Sequence, residues 1–118
     1  MDIRMIQDQL ERFAIERDWN KFHSPKNLAM ALAGEVGELM EIFQWLTEEQ
    51  SGNIVKNDAQ HKALAEELAD IAIYTLRLAH KTDIDLEAAI EEKMKRNAEK
   101  YPVDLSRGSA TKYNRRKK

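Results

Sequence analysis

The chain has 118 residues, a formal net charge of −2 and no cysteine, which bounds it to one domain with a single core and excludes disulfides and thiolate metal sites. With only 4 Gly and 2 Pro among abundant Ala, Leu, Glu and Lys, an all-α fold is expected. No apolar run reaches the ~20 residues that span a bilayer, and Met1-Asp2-Ile3-Arg4 does not read as a signal peptide, so no membrane association and a cytoplasmic location are expected. The charge is uneven: residues 107–118 carry six basic residues and no acid, the rest 13 basic against 21 acidic. The main body is therefore not expected to bind nucleic acid.

Helix one is predicted over Asp2 to Trp19, where Ile3, Ile6, Leu10 and Phe13 recur at helical spacing. Asn20 to His23 reads as a loop. Ser24 then supplies an N-cap and Pro25 the first helical position. Helix two spans Pro25 to Leu46 and is apolar nearly all round, from Leu28 and Met30 to Phe43 and Trp45. Gly34 and Gly37 inside it cost up to ~1 kcal/mol each against Ala; either they leave room beside Glu35 for a ligand or they allow close helix packing. Thr47 to Asn57 reads as a polar loop. Helix three runs from Asp58 to Lys81, again apolar on more than one face. Asp83 or Asp85 caps helix four, which ends at Lys100 before Pro102. The domain is expected at 1–102, and 103–118 as an extended, mobile, basic tail. Two helices apolar all round exceed what one small subunit can cover, so a second copy should complete the bundle, as a dimer or a dimer of dimers.

The chemistry concentrates in Glu35-Val36-Gly37-Glu38 and its echo Glu67-Leu68-Ala69-Asp70. Each places two carboxylates three apart, on one helix face. None of the four has Lys or Arg at i±3 or i±4, whereas Asp8 precedes Arg12, Glu91 precedes Lys95 and Glu92 precedes Arg96 by four. In water two such charges about 6 Å apart repel by only ~0.7 kcal/mol, but the cost multiplies as the dielectric falls. If the pairs converge, a divalent cation resolves the repulsion. Oxygen ligands without thiols favour Mg²⁺, with Mn²⁺ a possible substitute, over Zn²⁺. A carboxylate-held metal suggests phosphate chemistry. Lys93 and Asn97, with Lys100 and Tyr101 beyond, line one polar strip, while Trp19 and Trp45 stand where helices end and His23 is a candidate donor in a loop.

The ordered set Glu35-Val36-Gly37-Glu38-Leu39, Phe43-Gln44-Trp45, Glu66-Glu67-Leu68-Ala69-Asp70 and Lys93-Met94, Asn97, Tyr101-Pro102 resembles the MazG-like branch of the all-α nucleoside triphosphate pyrophosphohydrolases. Glu16-Arg17-Asp18-Trp19 and Phe22-His23-Ser24-Pro25 are similar to its dCTP pyrophosphatase group. The likeness covers roughly Ile3 to Tyr113. It implies a homo-oligomeric four-helix MazG-like bundle converting a (d)NTP to the monophosphate and pyrophosphate, with dCTP or a 5-modified dCTP preferred. It further implies that Glu35, Glu38, Glu67 and Asp70 ligate Mg²⁺, with Glu38 and Glu35 catalytic and Glu38 orienting the attacking water. Lys93, Asn97 and Tyr101 would hold the triphosphate. Trp19, His23, Trp45 and Tyr74 would form the nucleoside pocket, within one subunit or across two. At Leu10 the chain departs from animal members, which tend to carry His three residues before the counterpart of Phe13; that bears on base preference. A ferritin-like di-iron centre normally requires Glu-x-x-His, and position i+3 holds Glu38 and Asp70 instead. A non-catalytic helical module binding nucleotide or protein is the principal alternative.

Overall fold

The computed structural model describes residues 1–115, and every regular element among them is helical. Two compact units form, Met1–Ile84 and Asp85–Lys118. The first is built from α1 (Ile3–Glu16), α2 (Pro25–Phe43), the short α3 (Glu48–Gly52) and α4 (Asp58–Lys81). The second holds α5 (Leu86–Lys100) and the single turn α6 (Val103–Ser106).

Helix starts follow the capping chemistry of the sequence. Asp2, Ser24, Asn57 and Asp85 each accept from a backbone N–H in the first turn of α1, α2, α4 and α5, at 3.0–3.1 Å. Two helix ends are less orthodox. Asp18 and Asp83 adopt left-handed backbone conformations with φ of 52° and 55°. At the first, Trp19 N–H donates to Ala14 C=O at 2.9 Å and Asp18 N–H to Ile15 C=O at 3.1 Å. At the second, Ile84 N–H donates to Ala79 C=O at 2.9 Å and Asp83 N–H to His80 C=O at 3.3 Å. Both are Schellman closures with Asp in the place that Gly usually takes. The first stops α1 at Glu16, short of the expected Trp19. A 3₁₀ turn, Asn20–Phe22, follows and delivers His23.

Three further expectations need correcting. Helix two ends at Phe43, not Leu46. The expected loop at Thr47 to Asn57 instead contains α3 and a 3₁₀ turn, Ile54–Lys56. A capping box explains it: Gln50 N–H donates to Thr47 Oγ1 at 3.1 Å, while Thr47 N–H donates to Gln50 Oε1 at 2.9 Å. The stretch from 103, expected to be extended, forms α6 and a 3₁₀ turn at Tyr113–Arg115; residues 116–118 of that basic tail lie outside the described residues.

Within the first unit α2 packs along α4, and α1 also rests on α4. Ala14, Leu28, Leu76 and Ala79 form the buried apolar core, and with them lies one charged residue, Arg77. The core is thin. Met30, Val36 and Met40 on α2 and Leu68 on α4 remain exposed, Met40 by 63%. A side chain of this size is worth about 1.5–3 kcal/mol when fully covered. A Cβ added at Gly34 or Gly37 would meet nothing within 4 Å, so open space, not a helix contact within this chain, surrounds both.

Candidate metal centre

On α2, Glu35 and Glu38 stand one turn apart; α4, packed alongside, contributes Glu67. One carboxylate oxygen from each lies within 4.8 Å of the others. Glu35 and Glu67 are half-buried and Glu38 is exposed. One oxygen of Glu35 (Oε2) and one of Glu67 (Oε2) are cut off from solvent without a hydrogen-bond partner. Burying such an atom unpaired is costly. The Glu35 carboxyl beside it, burial, and then Glu38 push the Glu67 carboxyl up to about 7. The three acids thus crowd until one of them tends to keep its proton. No Lys, Arg or His among the described residues forms an ion pair with any of them.

This donor set fits a hard divalent cation. All ligands are oxygens, two of those oxygens are buried and unpartnered, and no charge among the described residues compensates theirs. Asp70 lies one turn beyond Glu67 on α4, half-buried, and is not part of the converging group. Tyr74 follows another turn along, also half-buried.

The other residues singled out by sequence are distributed as follows. Trp19 and His23 meet edge to face with ring centroids 6.4 Å apart, and Phe13 meets Trp19 at 5.6 Å. Trp45, just past the end of α2, is 86% exposed. Lys93 and Asn97 belong to the second unit, exposed and one turn apart on α5, and Tyr101 is the C-cap of that helix.

A second polar cluster has no counterpart in the sequence reading. Arg77, only 2% exposed, emerges from the last turns of α4. Its guanidinium pairs with Glu11 on α1, and its Nη2 lies 2.9 Å from Asn20 Oδ1 and 3.1 Å from His23 Nδ1. Lys81 Nζ donates to Asn20 Oδ1 at 3.0 Å, and Asn20 Nδ2 donates to Glu11 Oε1 at 2.9 Å. The Arg77 guanidinium holds the Glu11 carboxyl below its ordinary range against the opposing effect of burial. Burial, reinforced by Arg77 and Lys81, depresses His23. A signal was available: Arg77 sits in Leu76-Arg77-Leu78-Ala79 with Ile73, Tyr74, His80 and Lys81 at i±4 and i±3, so it too lacks a local counter-charge.

Residues 30–115 match the model of the MazG-like family. The chain belongs to the MazG-like family. It is 50% identical over 112 residues to dCTP pyrophosphatase 1 of Bos taurus and 46% identical over 112 residues to that of Homo sapiens. In both cases the match takes in 95% of this chain and 64% of the relative, so the chain spans just under two thirds of those proteins. Among solved structures, a pyrophosphatase from Archaeoglobus fulgidus is similar with a TM-score of 0.80 and 36% identity, over 86% of this chain and 94% of that one. The MazG-like membership agrees with the ordered motifs from Glu35 to Pro102, and the likeness in fold with the all-α expectation. No helix among the described residues is long and apolar enough to cross a membrane.

Proposed function

We propose that this MazG-like chain is a metal-dependent nucleoside triphosphate pyrophosphohydrolase that takes dCTP or a 5-modified dCTP to the monophosphate and pyrophosphate, in cytoplasmic nucleotide-pool housekeeping. One observation carries the reading: Glu35, Glu38 and Glu67 converge with two buried, unpartnered oxygens and no counter-charge among the described residues. Identity of 46–50% to dCTP pyrophosphatases supports the substrate class.

Glu35, Glu38 and Glu67 would hold the cation, with Asp70 the fourth acid beside them, and Mg²⁺ suits this oxygen set best, Mn²⁺ next. When bound, such an ion neutralises phosphate oxygens and acidifies water. Glu38, the exposed member of the group, is the acid free to orient the attacking water and accept its proton. That oxygen joins the α-phosphorus, the bridge to the β-phosphate breaks, and pyrophosphate departs. Lys93 and Asn97 on α5 and Tyr101 at its C-cap are donors of the kind that phosphate oxygens take. Trp19, His23, Trp45 and Tyr74 enclose the nucleoside. Exposed Met30, Met40 and Leu68 suit burial against a second copy of the chain, which gives a homodimer or a dimer of dimers.

The test is pyrophosphate release from a panel of canonical and 5-methylated triphosphates with Mg²⁺ or Mn²⁺. Release of pyrophosphate with dCTP among the better substrates is expected. Tight nucleotide binding without product would instead indicate a non-catalytic binding module.

A further inference from the structure

The cluster around Arg77 connects a buried cation to a residue of the nucleoside pocket. A guanidinium carries only donors and stays protonated. At 3.1 Å from Arg77 Nη2, His23 Nδ1 must therefore act as the acceptor, which places the single imidazole proton on Nε2. An imidazolium at this position would set an N–H against the guanidinium and add a like charge. Arg77 itself has little freedom to move: Glu11 holds one terminal nitrogen and Asn20 shares the other. The charged groups that face His23 are Glu11 from α1 and Arg77 and Lys81 from α4. The two cations oppose protonation of the ring and the acid favours it.

We propose that Arg77 is a positioning residue that fixes His23 as the neutral, Nε2-protonated tautomer, so that the pocket offers one permanent hydrogen-bond donor to an acceptor on the nucleobase edge. This rests on the reading that His23 lines the nucleoside pocket. A pyrimidine carbonyl or an unprotonated ring nitrogen is the acceptor chemistry it selects. A His free to exchange tautomers would offer donor and acceptor in turn and discriminate less between base edges.

The experiment uses the full chain labelled with ¹⁵N. Long-range proton–nitrogen spectra at pH 7, with His23 assigned by comparison with His23→Asn, report which ring nitrogen carries the proton. Deoxycytidine monophosphate, titrated without metal, reports binding independently of turnover. The wild type should show an unprotonated Nδ1 and a protonated Nε2, unchanged on lowering the pH to 6. Removing both partners of the buried pair, in Glu11→Gln/Arg77→Met, should give a mixture of tautomers. It should also weaken monophosphate binding by about threefold to tenfold, the worth of one hydrogen bond, and raise KM by more than it lowers kcat. An Nδ1-protonated or doubly protonated His23 in the wild type at pH 7 would overturn the proposal without reference to any variant. Mixed tautomers with unchanged monophosphate affinity would overturn it as well. A wild type that hydrolyses dCTP yet shows the wrong tautomer removes only this inference. One that neither hydrolyses nor binds nucleotide removes the hydrolase reading and the donor role together.

Discussion

Two charge clusters lie along α4, and they are opposites. Around Glu67, acids meet acids: Glu35 and Glu38 crowd in from α2, two oxygens are buried unpartnered and no cation among the described residues pairs with them. Around Arg77, Glu11, Asn20 and His23 take up both terminal nitrogens of a buried cation, leaving only its Nε without a partner. The second cluster holds its counter-ion within the chain and works as a fixed support. The first has none among the described residues, so a divalent cation from outside is its natural complement, the one that all-oxygen ligands prefer. Whether a charged cluster is structure or site depends on whether its charge is already answered.

Conservative substitutions that remove charge should separate the two. The largest effect belongs to Glu38→Gln, which should fold as the wild type does by circular dichroism yet lose about 100-fold or more in turnover, the scale on which a positioned base contributes. Next is Arg77→Met, which removes the main charge partner of Glu11 and leaves it the Asn20 amide and, at 3.9 Å, Lys81. Breaking a buried pair costs about 3–5 kcal/mol, and since Glu11 keeps partial solvent access (28% of its side chain) about 2–3 is expected. Urea unfolding measures it, and Glu11→Gln/Arg77→Met should recover part of the loss. Loss of charge should have the opposite sign in the first cluster. In metal-free protein at pH 8, Glu67→Gln should raise the thermal midpoint, because it removes repulsion and no attraction. A lower midpoint would mean that the acids already have partners.

The same contrast appears in pH dependence. Glu67 has a folded-state pKa raised to about 7, so its contribution to stability is fully present below its unfolded value and is lost as pH rises through 7. Metal-free protein should therefore lose stability between about pH 4.5 and 7 on account of this group. Bound cation displaces the proton, so its protection should grow over the same range. Glu11, held low by Arg77, behaves conversely: its contribution is present above its unfolded value and lost as acid takes the pH down through its folded one. The smallest effect expected is at the helix end beyond Arg77. Asp83→Gly should gain about 0.5–1 kcal/mol, because Gly enters the left-handed conformation without the strain that Asp bears there.

The sequence made the first cluster legible and hid the second, for one physical reason. A helix shows its i±3 and i±4 neighbours directly, so four acids without basic neighbours could be read off, and α2 and α4 did bring Glu35, Glu38 and Glu67 together. The same test applied to bases would have exposed Arg77, but its partner Glu11 lies 66 positions away, and only folding pairs them. Helix starts were legible because Ser24-Pro25 and Asp85 carry their capping chemistry in the side chain. The ends after α1 and α4 were harder, because Asp18 and Asp83 close them in a conformation usually marked by Gly. The Thr47–Gln50 capping box was in plain view, but its polar surroundings suggested a loop.

An external cation completes the acid cluster, and anomalous diffraction from crystals soaked in Mn²⁺ tests that most directly. The predicted result is an anomalous peak among the carboxylates of Glu35, Glu38 and Glu67 that disappears in Glu67→Gln. Carboxylates that remain clustered and ion-free at millimolar Mn²⁺ and pH 8 would contradict it.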